Sequence, residues 1–109
     1  MRMIQAHTIQ KRDGDFEACA IVEMPCGAVP FMVIPHGEGM AIVAHSDPVM
    51  PSIVHPLFIM EAGVQVALPL GETIGAFLGY LHLGDKIAYV FQGSPWPTTA
   101  LAAPAKGNG

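Results

Sequence analysis

Hydrophobic and polar positions in the first part of the chain follow the pattern of β-strands. Residues 16–24 alternate between apolar and polar side chains, a period of two that is typical of a half-buried strand. Residues 1–10 indicate a first strand, and residues 29–34 are continuously apolar, which indicates a strand covered on both faces. Residues 40–44 form a fourth short apolar run. Turn signals separate the four runs, so the pattern predicts an antiparallel meander.

The central part of the chain predicts one buried helix. Residues 56–68 are almost entirely apolar, and their larger side chains recur at helical spacing. Pro56 suits the first helical position, where its missing N–H is harmless, and Pro69 would end the helix. Glu61 and Gln65 are four residues apart and would share one face. A helix this apolar has to be covered by protein almost all round.

Residues 73–92 allow two structures. Small residues recur every fourth position into this part of the chain, which would give a helix a smooth face for close packing. Residues 87–91 are instead rich in β-forming side chains, and residues 83–86 suit a hairpin turn. We favour the hairpin, because Pro69 interrupts the helical repeat and glycines weaken a helix.

These elements predict one α+β domain over residues 1–94. It would consist mainly of an antiparallel sheet of five to six strands, with the buried helix near residues 56–68. A chain of 109 residues is long enough for one domain and too short for two. Residues 95–109 are rich in Pro, Ala and Gly, and we expect this tail to pack on the domain or on a neighbouring chain. Trp96, between two prolines, would be its anchor.

The composition excludes some classes of protein and predicts self-association. Hydrophobic residues make up 51% of the chain and charged residues only 13%, about half the usual share. This excludes a disordered chain, and two cysteines are too few for a disulfide-stapled scaffold. So few charges cannot cover the surface of a small domain. We therefore expect a homo-oligomer, a dimer or higher; the alternative is a monomer with unusually apolar loops.

The charge distribution argues against anionic partners. The net charge is −4, and no Lys or Arg occurs between Ala18 and Asp85. A cleft built from that stretch would have no permanent side-chain cation for a phosphate. We therefore expect no nucleic acid, nucleotide phosphate or anionic lipid as a partner, and a small ligand would be neutral or apolar.

The chain shows no pattern of a secreted or membrane protein. No apolar signal segment follows the first residues, and the longest apolar run, residues 53–70, contains Glu61 and prolines. Cys19 and Cys26 do not form a C-x-x-C pair, so free thiols are expected. The prediction is a cytoplasmic protein without membrane contact.

Histidine and carboxylate side chains are the candidates for chemistry. His45 follows a predicted strand, and Glu61 is a lone acid on the apolar helix; together they could act as general acid and base. The spacing of His, Cys and acidic residues matches no standard zinc pattern, so neither a metal site nor a cofactor is predicted. Further candidates for ligand contacts are His36, His55, Gln65, Tyr80 and Trp96.

One segment resembles a known enzyme family. His45-Ser46-Asp47-Pro48-Val49-Met50-Pro51, followed by Glu61-Ala62 and Gln65, resembles a stretch of hotdog-fold acyl-carrier-protein dehydratases. The resemblance implies a His loop that leads into a buried central helix with an acidic residue. His45 and Glu61 would then be the catalytic pair, working across a dimer. Ser52 stands where that family has Gly, and Pro56 lies within the connection.

The sequence leaves three functions open. The leading hypothesis is a small-molecule-binding or protein-interaction module with an apolar pocket and His and Glu at its mouth. The second is a small enzyme, either of the dehydratase or thioesterase type or metal-dependent, that uses His45 and Glu61. The third is a purely structural oligomer. Whether the protein is an enzyme at all is not decided by these residues.

Overall fold

The computed structural model describes residues 1–12 and 18–93. Within these ranges the chain forms seven strands and no helix. In chain order the strands are β1 (Met3–Lys11), β2 (Cys19–Pro25), β3 (Val29–His36), β4 (Gly39–Ser46), β5 (Ser52–Glu61), β6 (Ile74–Leu83) and β7 (Lys86–Gly93).

All seven strands belong to one antiparallel sheet that curls into a nearly closed, barrel-like shape. The strand order is β3-β4-β1-β2-β5-β7-β6, so β3 and β6 are the two edges. The edges contact each other: a Cβ placed on Gly79 of β6 would lie 3.0 Å from Cγ1 of Val33 on β3. The hydrophobic side chains inside this curl pack into one core, which includes Val22, Met24, Ile42, Leu57 and Val90.

The helix predicted over residues 56–68 is wrong, and with it the α+β fold class, because the described chain is all β. The first part of that stretch belongs to β5, which pairs with β2 on one side and β7 on the other. Leu57 faces the core, and Phe58 on the opposite face is also fully buried. A strand buried on both faces is a continuous apolar run, which periodicity cannot distinguish from a buried helix.

Pro56 lies within a central strand, a position that proline usually avoids. Ile59 N donates to the backbone oxygen of Ala18, the residue just before β2, at 2.7 Å. Because strand residues alternate in direction, the nitrogen of residue 56 points the other way, towards β7. There β7 ends at Gly93, whose added Cβ would lie 3.0 Å from the Pro56 Cβ. The missing N–H of Pro56 therefore faces the last residue of β7 and interrupts no ladder in mid-strand.

The antiparallel meander is also wrong. β1 lies between β2 and β4, with Thr8 opposite Ala41, and the sheet order separates β2 from β3. β3 is an edge strand with one exposed face, so the prediction that both faces are covered fails for it. Phe31 and Met32 are about half exposed, and a register shift between Pro30 and Met32 leaves Phe31 out of the pairing.

Other predictions are confirmed. Ala20, Val22 and Met24 are buried on one face of β2 while Glu23 is exposed, as the alternation indicated. The hairpin near the end of the chain is present as β6 and β7, with Leu83 paired to Lys86. Both cysteines are free.

The predictions about the C-terminal tail and the cellular location remain predictions. The tail of residues 95–109 and its anchor Trp96 lie outside the described residues. The part of the chain that the structure covers contains no helix long and apolar enough to cross a membrane. The cytoplasmic location stays a prediction.

Candidate functional site

A cleft of about 310 Å³ opens at one end of the barrel. There β1, β5 and β6 end, and β2, β4 and β7 begin. Its apolar wall is formed by Ile9, Ala20, Met40, Ile59, Leu83 and Ala88. Ile9, Met40 and Ile59 also pack against the core, so the cleft is the uncovered end of the hydrophobic interior.

The polar side chains of the cleft stand where strands end. Glu61 is the last residue of β5, opposite Ala88 of β7, and Lys11 is the last residue of β1; both line the cleft. Lys86 Nζ lies 3.5 Å from Glu61 Oε1. The Lys86 side chain is 66% exposed, so this ion pair contributes at most about 1 kcal/mol.

The fold brings lysines to the cleft that the distribution of charge along the chain did not predict. No Lys or Arg occurs between Ala18 and Asp85, yet the cleft takes Lys11 from before that stretch and has Lys86, from just after it, at its edge. A cation is therefore available at the mouth.

Beside the cleft, Arg12 joins three parts of the chain. Its Nη1 and Nη2 donate to the two carboxylate oxygens of Glu72 at 3.0 and 3.1 Å, and Nη2 also donates to Cys19 Sγ at 2.8 Å. The hydrogen bonding of Arg12 to the Glu72 carboxylate is the largest cause of a raised Arg12 pKa. This pairing fixes the segment between β5 and β6 against the end of β1. Sequence reasoning missed it, because Arg12 and Glu72 are 60 residues apart and share no motif.

His45 lies far from Glu61. It is near the end of β4, whereas Glu61 lines the cleft at the end where β4 begins. At about 3.3 Å per strand residue, the six steps along β4 from Gly39 to His45 span roughly 20 Å. Within one chain the structure therefore does not bring the proposed catalytic pair together.

His45 has structural contacts at its own end of the barrel. Arg2 Nε donates to His45 Nδ1 at 2.8 Å, and Arg2 Nη2 donates to the backbone oxygens of His45 and Gly27. The Phe31 ring centroid lies 5.2 Å from that of His45. These contacts hold the N-terminal residues against β4.

His55 is a core residue. It is fully buried on β5, and its Nε2 donates to Met24 O at 3.3 Å. Burial is the main reason for its lowered pKa, and the charge of His7 lowers that pKa further. The pKa of His7 is itself lowered by burial. Neither histidine lines the cleft.

The remaining ligand candidates that the structure describes are not part of the cleft lining either. His36 is exposed at the end of β3, and Gln65 is exposed in the segment after β5. Tyr80 is 55% exposed on the outer face of β6, with ring centroids 6.1 Å from Tyr89 and 6.0 Å from His82. Of the predicted site residues that the structure describes, Glu61 alone lines the cleft.

Residues 1–12 and 18–93 contain no group of three His, Cys, Asp or Glu side chains able to hold a metal ion. Comparisons of the chain with protein-family models, curated proteins and solved structures find no match.

Proposed function

We propose that this protein binds a small, mainly apolar molecule in the cleft at the end of the barrel. The observation that supports it is the continuity of the cleft with the core: Ile9, Met40 and Ile59 line the cleft and also pack on the buried cluster. A ligand there would extend the hydrophobic interior. A volume of about 310 Å³ is at the lower end of the range for small-molecule sites.

An enzyme that uses His45 and Glu61 has less support. The hotdog resemblance implies a buried central helix that carries Glu61, and Glu61 instead ends strand β5. His45 is engaged by Arg2 at the opposite end of the barrel. No observation within the chain favours this second function over binding.

The proposal is tested with uncharged probes. The folded protein is titrated with 1-alkanols of six to ten carbons, and binding is followed by NMR shifts of backbone amides. Each added CH₂ buried in an apolar site contributes about 0.8 kcal/mol, so the Kd should fall roughly fourfold per carbon until the chain outgrows the cleft. The shifts should concentrate at Ile9, Met40 and Ile59.

A matched pair of variants controls for non-specific effects. Leu83→Asp places a charge in the cleft wall at a residue that is already 44% exposed, and it should weaken alkanol binding. Leu70→Asp makes the same change at a fully exposed leucine outside the cleft and should leave binding unchanged. Shifts that do not saturate, or that move instead to the outer face near Tyr80, would refute the cleft as the site.

A further inference from the structure

We propose that the ligand of the cleft carries a carboxylate, which Lys11 and Lys86 bind at the mouth. This inference rests on the proposed function and names the chemical class of the ligand. An aliphatic monocarboxylate would place its chain on the apolar wall and its charged end among the side chains at the ends of β1 and β5 and the start of β7.

The balance of charge at the mouth favours an anion. Glu61 already has Lys86 at 3.5 Å, whereas Lys11 lines the cleft and has no ion-pair partner among the described residues. Arg12, the next cation in the chain, is held by both carboxylate oxygens of Glu72. Among the residues that the structure describes, the cation left unneutralised in the cleft is therefore that of Lys11.

The other described acids at this end of the barrel do not line the cleft. Glu38 lies in the turn between β3 and β4, and Asp85 lies in the turn between β6 and β7. Neither is part of the cleft lining. Asp13, Asp15 and Glu17 follow Lys11 in the chain and lie outside the described residues.

The positions of the two lysines suit a ligand that enters the open end of the barrel. Lys11 lies two residues after Ile9, on the same face of β1, and Lys86 pairs with Leu83. Both neighbours belong to the apolar wall. Lysine stems pack along apolar surface while the ammonium groups stay in water, so the cations can approach a headgroup without leaving the rim.

The alternatives fit less well. An amine on the ligand would have to replace Lys86 as the partner of Glu61 and would face Lys11 as a like charge. A hydroxyl group could accept a hydrogen bond from the uncompensated cation but carries no charge to attract it. A carboxylate is the polar group that both lysines attract.

Three eight-carbon probes test the inference: octanoate, 1-octanol and octylamine, each titrated into the full chain at pH 7.5. We expect octanoate to bind more tightly than 1-octanol, and octylamine to bind most weakly. One solvent-exposed ion pair changes affinity by up to about fivefold, so with two lysines the preference for octanoate should be roughly two- to tenfold. Raising the salt concentration to 0.5 M should weaken octanoate binding and leave 1-octanol unaffected.

Variants locate the preference at the mouth. Lys11→Met should weaken octanoate binding roughly two- to fivefold and leave 1-octanol unchanged. Arg2→Met removes the same charge at the other end of the barrel and should change neither Kd. Glu61→Gln should tighten octanoate binding, because it frees Lys86 from its partner.

The outcomes separate the two proposals. Equal affinity for octanoate and 1-octanol, or weaker octanoate binding in Glu61→Gln, overturns the carboxylate inference while the apolar site stands. Preferential binding of octylamine that is lost in Glu61→Gln overturns it in favour of a cationic ligand. Failure of all three probes to bind overturns the proposed function as well.

Discussion

Gly79 on β6 lies directly against Val33 on β3, and this contact joins the two edges of the sheet. A Cβ on Gly79 would be 3.0 Å from Val33 Cγ1 and 3.5 Å from its backbone nitrogen. Gly79 also has φ +141°, a conformation that other residues rarely adopt. The near closure of the barrel therefore depends on a residue without a side chain at this position.

Replacing Gly79 with alanine should destabilise the fold. Steric overlap with Val33 and backbone strain together should lower the free energy of unfolding by about 1–3 kcal/mol, measured by urea denaturation. Gly84→Ala is the control, because Gly84 has φ +68° but open space around it and so reports strain without overlap. In Gly79→Ala/Val33→Ala the clashing methyl group is gone, so the double variant should lose less stability than the sum of the singles. Strict additivity would show that the contact is unimportant.

Gly93 should be equally intolerant of a side chain, for a purely steric reason. Its added Cβ would meet Pro56 at 3.0 Å and the Pro56 backbone at 3.2 Å, and a backbone cannot rotate away. We expect Gly93→Ala to cost about 1–3 kcal/mol in thermal or urea unfolding. Gly39→Ala, where the nearest atom is His36 O at 3.9 Å, should change stability much less. Similar losses in the two variants would contradict the packing of β7 against Pro56.

The Arg12–Glu72 ion pair should stabilise the protein, because its two hydrogen bonds form a bidentate contact. Each side chain is about a quarter exposed, so solvent screens part of the attraction. We expect Arg12→Met and Glu72→Gln each to lower stability by roughly 1–2 kcal/mol, and Arg12→Lys to lose part of that because lysine cannot bind both oxygens. Lys86→Met, which breaks a largely exposed pair, should lose under about 1 kcal/mol. Urea unfolding at low and high salt measures all four, and a loss as small as that of Lys86→Met would refute the role of Arg12.

The buried histidines should make the fold sensitive to mild acid. Burial lowers the pKa of His55 and of His7 in the folded protein, whereas in the unfolded chain a histidine titrates near its ordinary pKa of about 6.5. Below that pH the unfolded state binds more protons than the folded state, so stability is retained above about pH 6.5 and falls as the pH drops towards the lowered pKa values. Urea midpoints at pH 7.5 and 5.5 should show the loss.

Variants assign that pH effect to particular residues. His55→Gln should reduce the difference between the two midpoints; because this core substitution can impair folding, His7→Gln on the less buried histidine serves as the second test. His36→Gln, at an exposed position at the end of β3, should leave the difference unchanged. An undiminished pH effect in both His55→Gln and His7→Gln would exclude these two histidines as its source.

Local patterns predicted the strands that face water on one side. The alternation in β2 and the turn between Leu83 and Lys86 depend on neighbours in sequence, and both are present in the structure. β5 lacked such a signal, because Leu57 and Phe58 are both buried and no polar face marks its period. Pro56 favoured the helix prediction. The sheet tolerates this proline because it lies beside Gly93, and only the fold brings the two residues together.

The site could be predicted only in part for a related reason. Glu61 stood out as an acid in an apolar run, and it does line the cleft. Lys11 and Lys86 gave no signal, because they are distant in sequence and become neighbours of the cleft only where β1 and β5 end and β7 begins. The His45–Glu61 pairing depended on a loop leading into a helix. Because that segment is a strand, His45 and Glu61 lie at opposite ends of the barrel.

The surface around the junction of β3 and β6 leads us to expect a homo-oligomer. Phe31 and Met32 on β3 and Phe77 and Tyr80 on β6 are each 50–55% exposed, and the two strands that carry them are in contact. Apolar side chains concentrated at one place on a small protein favour association with another copy.

Size-exclusion chromatography with light scattering tests this expectation. At micromolar concentration the measured mass should be at least twice the 11.5 kDa of one chain. Met32→Glu combined with Tyr80→Glu should shift it to the monomer, whereas Val49→Glu, at an 87% exposed loop position, should not. A native mass of 11.5 kDa at these concentrations would refute the association, and dissociation by Val49→Glu as well would place the interface elsewhere.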